Sequence, residues 1–202
     1  MSEAVATEQA VRRLAAGHPV VATILSRWDR VALPDAWLSG SLLAQARWNE
    51  YFGFPPIHGI ADADIIYFDA NDLSEAGEQA VAERVQALYP DLPIRLDVKN
   101  EARVHIWYPD HFGMPIAPYR SAIQATTTFP TTASAVAITP VALSAPFGLD
   151  DLMQPVVRAN ATQIDRAYYE VKAGRWALHW PDLVILPWDQ AVRYAPENGA
   201  AS

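Results

Sequence analysis

Asp62-Ala63-Asp64 stands at the head of a β-branched and aromatic run, Ile65-Ile66-Tyr67-Phe68. Side chains two apart share a face of an extended strand, so both carboxylates point the same way, within reach of one hard cation or a pair. Two like charges so placed repel unless something positive stands between them. Mg²⁺ or Mn²⁺ supplies that charge and prefers carboxylate oxygen. The plainer alternative is a solvated strand edge that carries two aspartates. A third aspartate, Asp97, lies near the end of another apolar stretch, Ile94-Arg95-Leu96-Asp97-Val98, and upstream Gly40-Ser41 breaks off Trp37-Leu38-Ser39. Glycine at such a break lets backbone N–H groups approach phosphate, and the N-terminus of a following helix favours anions. An ordinary capped turn would use the same two residues.

The elements that must position these groups follow from periodicity and punctuation. Val11, Leu14 and Ala15, and after Pro19 the set Val20, Ile24, Leu25 and Trp28, recur at helical spacing and predict two packed N-terminal helices. Trp37–Ser39 reads as a short buried strand and Leu42–Trp48 as a helix with Ser39 or Ser41 as its cap. Phe52–Gly59 (FGFPPIHG) must be a loop, Ala61–Ala70 a strand, and Ser74 the cap of a helix from Glu75 to about Leu88. Ile94–Val98 is a further strand. Lys99–Trp107 supports either a strand, with Val98, Ala102, Val104 and Ile106 inward, or a helix that pairs Lys99 with Arg103 and Glu101 with His105; the strand is the reading preferred. Beyond it the chain predicts a short helix at Ser121–Thr126, an edge strand or bulge around Pro140, a turn or short helix at FGLDDLM and a helix at Thr162–Ala173. Helices and strands interleave throughout, so the fold class expected is α/β (α+β), a small mixed sheet with flanking helices.

Composition narrows the chemistry. The 202 residues include 15 Lys+Arg and 23 Asp+Glu, a formal charge of 15 − 23 = −8, and no cysteine. Thiolate metal sites, disulfides and cysteine nucleophiles are therefore excluded. A site built on oxygen ligands remains, and it suits Mg²⁺. The acidic balance disfavours a long nucleic acid as partner, because binding to phosphates draws on clustered Lys and Arg. No apolar run approaches the roughly 20 residues that span a bilayer, and the start MSEAVATEQAVRR lacks signal-peptide order, so no membrane association and a cytoplasmic location are expected. His58, His105, His111 and His179 have no metal-binding spacing.

A Gly-Ser turn, a D-x-D strand and a third aspartate on a neighbouring strand, in that order, resemble the DNA polymerase β-like nucleotidyltransferase superfamily. Within it, DADIIYFDA (Asp62–Ala70), VKNEARVHIWY (Val98–Tyr108), TTASAVAI (Thr131–Ile138), APFGLDDLM (Ala145–Met153) and WALHWPDL (Trp176–Leu183) look like a bacterial nucleotidyltransferase-like family of unknown function. The likeness runs from about Trp37 to Leu186. It implies transfer of an NMP group from a nucleoside triphosphate to an acceptor with release of pyrophosphate. Asp62 and Asp64 would ligate two Mg²⁺ or Mn²⁺ ions. Asp97 would hold the catalytic ion and help take the proton of the attacking hydroxyl, and Gly40 and Ser41 would hold the β,γ-phosphates. The sequence departs from the superfamily in one respect: residues 42–61, with the Pro-rich loop, separate Ser41 from Asp62, a longer span than usual.

Among the residues after Asp97, Asn100, Arg103 and His105 belong to the family phrase, and Arg103 is the candidate phosphate contact; a surface ion-pair set of Lys99, Glu101 and Arg103 is the competing reading. Arg158, Arg166, Lys172 and Arg175 either clamp a triphosphate from a second lobe or line a solvated helix face. The expected organisation is N-terminal helices packed on the core over 1–33, a nucleotidyltransferase core over 34–108, a C-terminal lobe of the same unit over 109–197 and a frayed tail over 198–202. The acceptor is expected to be a small molecule or a protein. A catalytically inactive nucleotide-sensing or protein-interaction module on the same fold is the alternative function.

Overall fold

A computed structural model describes residues 3–196; the expected tail at 198–202 lies outside them. Three helices open the chain, α1 (Glu3–Gly17), α2 (Pro19–Ser26) and α3 (Trp28–Val31). Pro19 suits the first turn of α2, where its missing N–H would have no partner, and the His18 ring accepts from the Val21 N–H as its cap. Val11, Ala15, Val20 and Ile24 face inward, as their spacing requires.

The main sheet has the order β3-β2-β1-β4-β5, made of β1 (Trp37–Ser39), β2 (Asp62–Tyr67), β3 (Arg95–Asn100), β4 (Ala137–Ile138) and β5 (Leu143–Ser144). β1 runs antiparallel to both neighbours, whereas β2 and β3 are parallel. A parallel pair needs a crossover, and α5 (Glu75–Gln86) provides it, capped by Ser74 through the Gly77 N–H. Helix α4 (Leu42–Phe52) joins β1 to β2. The remaining helices are α6 (Val104–Phe112), α7 (Ala122–Thr126), α8 (Asp150–Met153) and α9 (Arg166–Ala177), and β6 (Val156–Val157) pairs in parallel with β7 (Val184–Ile185) as a second small sheet. The fold is thus a mixed α/β one, and among the described residues no helix is long and apolar enough to cross a membrane.

The core is continuous from the N-terminal helices through the sheet to α9. Trp48 meets Trp176 and Trp180 edge to face, each with ring centroids 5.1 Å apart. Trp180 donates its indole N–H to Asn49 Oδ1 at 2.7 Å, and the Asn49 amide donates to the carbonyls of Pro56 and His58. Those bonds fasten the Pro-rich loop to α4 and to the C-terminal part of the chain.

Several local readings change. Lys99–Trp107 is not a continuous strand: β3 ends at Asn100, a 3-10 turn covers Glu101–Arg103, and α6 follows. Asn100 causes the switch, since its side-chain oxygen accepts the Ala102 N–H at 3.1 Å and satisfies a donor that a strand would have sent sideways. The last long helix begins at Arg166, not Thr162, because Asp165 caps it through the Tyr168 N–H. Ser41 precedes α4 without a side-chain cap bond.

Candidate active site

Strand pleat and register place the acidic groups. Ala63, Ile65 and Tyr67 of β2 face the core, so Asp62, Asp64 and Ile66 occupy the opposite face. On β3 the same alternation buries Leu96, Val98 and Asn100 and turns out Arg95, Asp97 and Lys99. The parallel register sets Asp64 directly beside Asp97 and Asp62 beside Arg95. On the other side of β2, Ser39 pairs with Asp64, which delivers the next residue, Gly40, against that carboxylate. Gly40 has φ +79, and a Cβ there would overlap Asp64 Oδ2. Gly40, Ser41, Asp62 and Asp64 all line one cavity of about 410 Å³. The long insertion between them does not intrude: its Pro-rich loop packs on α4 and none of its residues lines that cavity.

The charges crowd one another. Burial, then the nearby Asp62 and Asp97, push the Asp64 carboxyl up to about 7, against the pull of Lys172 and Arg95. One guanidinium nitrogen of Arg95 lies 2.8 Å from Asp62 Oδ2 and 2.9 Å from Asp97 Oδ2, so a protein cation bridges the outer two aspartates. Asp97 itself lies beside the cavity, not in its lining. Among the described residues no group of three or more acids and histidines is drawn together tightly enough to form a ready cluster for an ion. The three aspartates share a face, and Arg95 pairs with two of them, Asp62 and Asp97.

Lys172 of α9 reaches the same cavity, its ammonium 4.9 Å from the centre of the Trp176 ring. Burial lowers its pKa, with Arg175 adding to the effect and Asp64 and Asp62 opposing it. Of the four basic residues considered for a clamp, only Lys172 is in the cavity lining. Arg158 is bound to Asp151 at 2.8 Å, Arg166 to Glu170, and Arg175 is exposed.

Arg103 is not brought to the cavity. It is buried, ion-paired with Glu78, and donates to the Leu73 carbonyl at 2.9 Å. Its role here is to pin the turn after β3 to α5, which also corrects the reading of Lys99, Glu101 and Arg103 as a surface set: two of the three are buried. Glu101, Phe112, Tyr119, Phe129 and Tyr168 are lining residues that the sequence does not single out. Glu101 lines the cavity, and so do the rings of Trp107, Tyr108, Phe112, Tyr119, Phe129 and Tyr168. The i, i+4 placement of Tyr108 and Phe112, with rings stacked at 4.3 Å, is a helical signal just beyond the Lys99–Trp107 stretch read as a strand. The cavity lining thus combines charged groups suited to phosphate with aromatic rings.

Comparison with known proteins bears on the family and the fold. A family model described as nucleotidyltransferase matches residues 26–185. Among solved structures, one whose NMR structure reveals a CCA-adding enzyme head domain superimposes with a TM-score of 0.71 at 21% identity, over 89% of this chain and 95% of that one. At that identity the likeness is one of fold. No curated protein matches the sequence.

Proposed function

The chain belongs to the nucleotidyltransferase family, and from that premise we propose that it moves an NMP group from a nucleoside triphosphate to an acceptor hydroxyl, releasing pyrophosphate. The observation that carries this reading is the convergence of the Gly40-Ser41 turn and the paired Asp62 and Asp64 on one cavity, with Asp97 in register beside Asp64.

A divalent ion fits the donor set. Three carboxylates share one sheet face, where burial and then the neighbouring Asp62 and Asp97 push Asp64 up to about 7; positive charge would relieve them, and Arg95 is the group that partly supplies it. Asp62, Asp64 and Asp97 would hold Mg²⁺ or Mn²⁺, whose contribution is to neutralise the triphosphate and polarise the reacting oxygens. The protein groups do the rest. Backbone N–H groups at Gly40 and Ser41 receive the β,γ-phosphates, because glycine leaves the approach clear. Lys172, in the same lining, adds a cation. The acceptor oxygen bonds to the α-phosphorus, the bond from that phosphorus to the bridging oxygen breaks, and Asp97 takes the proton of the acceptor hydroxyl. The net charge of −8 favours a small-molecule or protein acceptor. Since the fold neighbour is a CCA-adding enzyme head domain, nucleic acid belongs among the acceptors tried.

One observation favours a second reading. Arg95 bridges Asp62 and Asp97 where a catalytic site needs both for an ion, which suits a module that binds nucleotide without turnover. Calorimetry with NTP and Mg²⁺, followed by transfer of α-labelled NTP to candidate acceptors, separates the two. Binding with label transfer supports the enzyme, binding without pyrophosphate release supports the module, and no binding sinks both.

A further inference from the structure

We propose that a groove beside the nucleotide cavity binds the acceptor, a small hydroxylated molecule with an apolar or aromatic body and an anionic group, the body resting on Phe112, Met114 and Val171 and the anion pairing with Arg193. The acceptor role rests on the transfer reading above, whereas the chemistry of the groove's ligand does not.

The groove holds about 880 Å³, within the range of small-molecule sites. Met114, Pro115 and Ile116 line it from the segment after α6, and Ala167 and Val171 from α9. Tyr108, Phe112, Gln163, Ile164 and Tyr168 line both this groove and the nucleotide cavity, so the two spaces share a wall. Phe112, Met114 and Val171 are 40%, 50% and 65% exposed, large apolar side chains left to water along one groove. Covering them releases that water, which is how an apolar body gains affinity.

The shared wall is not wholly apolar. Tyr119 donates to Gln163 Oε1 at 3.1 Å and Tyr108 to the Gln163 carbonyl at 3.2 Å, which leaves the side-chain amide nitrogen of Gln163 without a partner among the described residues. Its N–H donors suit an oxygen of a ligand that lies along this wall.

Charge selects the rest of the ligand. Asp165 and Arg193 both line the groove, and the fold treats them differently. The Asp165 carboxylate accepts the Tyr168 N–H at 2.8 Å as the cap of α9, where the helix dipole also favours a negative group. Arg193 has no such complement. One of its guanidinium nitrogens donates to the Ala161 carbonyl, and no carboxylate pairs with it among the described residues. His111, also in the lining, packs edge to face on Trp107 at 5.4 Å. An arginine anchored at one nitrogen and unpaired, in a chain of net charge −8, keeps donors for an anion, and its planar fork matches a carboxylate in shape.

The test follows backbone amide shifts of the isotope-labelled full chain by NMR while para-hydroxyphenylpropionate, para-propylphenol and tyramine are titrated in turn. The three share a phenol and differ in carrying an anion, no charge or a cation. Wild type is expected to show shifts over 111–117 and 161–171, and to bind the anionic phenol about three- to fivefold tighter than the neutral one, the effect of one exposed ion pair, with tyramine weakest. Arg193→Ala should bind all three alike, and Arg193→Lys should keep the order. Val171→Glu, at an exposed helical position that accepts glutamate, should reverse the order in favour of tyramine. Equal binding of the three by wild type, an unchanged order in Arg193→Ala, or shifts confined to residues outside the groove overturns the inference. Repeating the titration with a non-hydrolysable ATP analogue and Mg²⁺ present tests the acceptor role. Binding of both together supports it, and displacement of the phenol by nucleotide overturns it by making the groove part of the nucleotide site. Wild type that binds no analogue removes the transfer reading and the acceptor role with it, while the order of the three phenols still decides the groove's chemistry.

Discussion

Gly40 lies so close to Asp64 that a methyl group added at position 40 would occupy the space of the Asp64 carboxylate oxygen. The contact follows from register, because Ser39 pairs with Asp64 and the chain then turns through the left-handed φ of Gly40. The turn assigned to phosphate and the acid assigned to the metal are thus one mechanical unit.

Gly40→Ala should therefore damage two things together. The left-handed backbone costs an L-residue about 1–2 kcal/mol, and the new methyl displaces Asp64. Chemical denaturation should report the loss of stability, and calorimetry should report NTP binding weakened by more than about tenfold. Binding equal to wild type would detach the turn from the site.

Arg95→Ala should release Asp62 and Asp97 without unsettling the fold. Arg95 is 66% exposed, and ion pairs with such a residue contribute little to stability. Removing a cation that competes for two of the three proposed ligands should raise Mn²⁺ affinity, measured without nucleotide, by roughly two- to fivefold. Weaker Mn²⁺ binding in the variant would show that Arg95 supports the ion instead of competing with it.

The buried acids also predict a slope of stability with pH in metal-free protein. Glu101 is raised from 4.5 to about 8 and Asp64 from 3.8 to about 7, so between those limits the folded chain keeps protons that the unfolded chain has released. Stability from these groups is complete below the unfolded values and is lost as pH rises through the folded ones. Melting temperature should fall between pH 5 and pH 8.5 by about 5 °C or more, and the fall should be smaller in Glu101→Gln. A flat profile in wild type would show that neither acid holds its proton.

How much of this was legible in the sequence depends on the range of the interaction. Asp62, Asp64 and Asp97 could be placed because strand pleat is local and their flanking residues are β-branched or apolar. The Ser74 cap and the Gly40 break were local too. The strand-to-helix switch after Asn100 was not, since Lys99–Trp107 satisfies both periods and the side-chain cap of Asn100 decides between them. Arg103 has the right residue type for phosphate, but its partner Glu78 comes from the preceding helix, a pairing that spacing does not disclose. Glu101 and Lys172 reach the cavity only because the turn after β3 and the face of α9 are set by long-range packing.

On the proposed function, the Gly40-Ser41 turn and the three aspartates form a site for a metal-associated nucleoside triphosphate. That site is tested most directly by calorimetric titration of a non-hydrolysable NTP analogue into wild type and Asp64→Asn, each with and without Mg²⁺. Asparagine resembles the protonated carboxyl that burial favours at Asp64, so the variant should fold. Wild type should bind the analogue with Mg²⁺ and lose most of that affinity without it, and Asp64→Asn should bind weakly in both conditions. No binding by wild type, or equal binding by Asp64→Asn with Mg²⁺, would contradict the account.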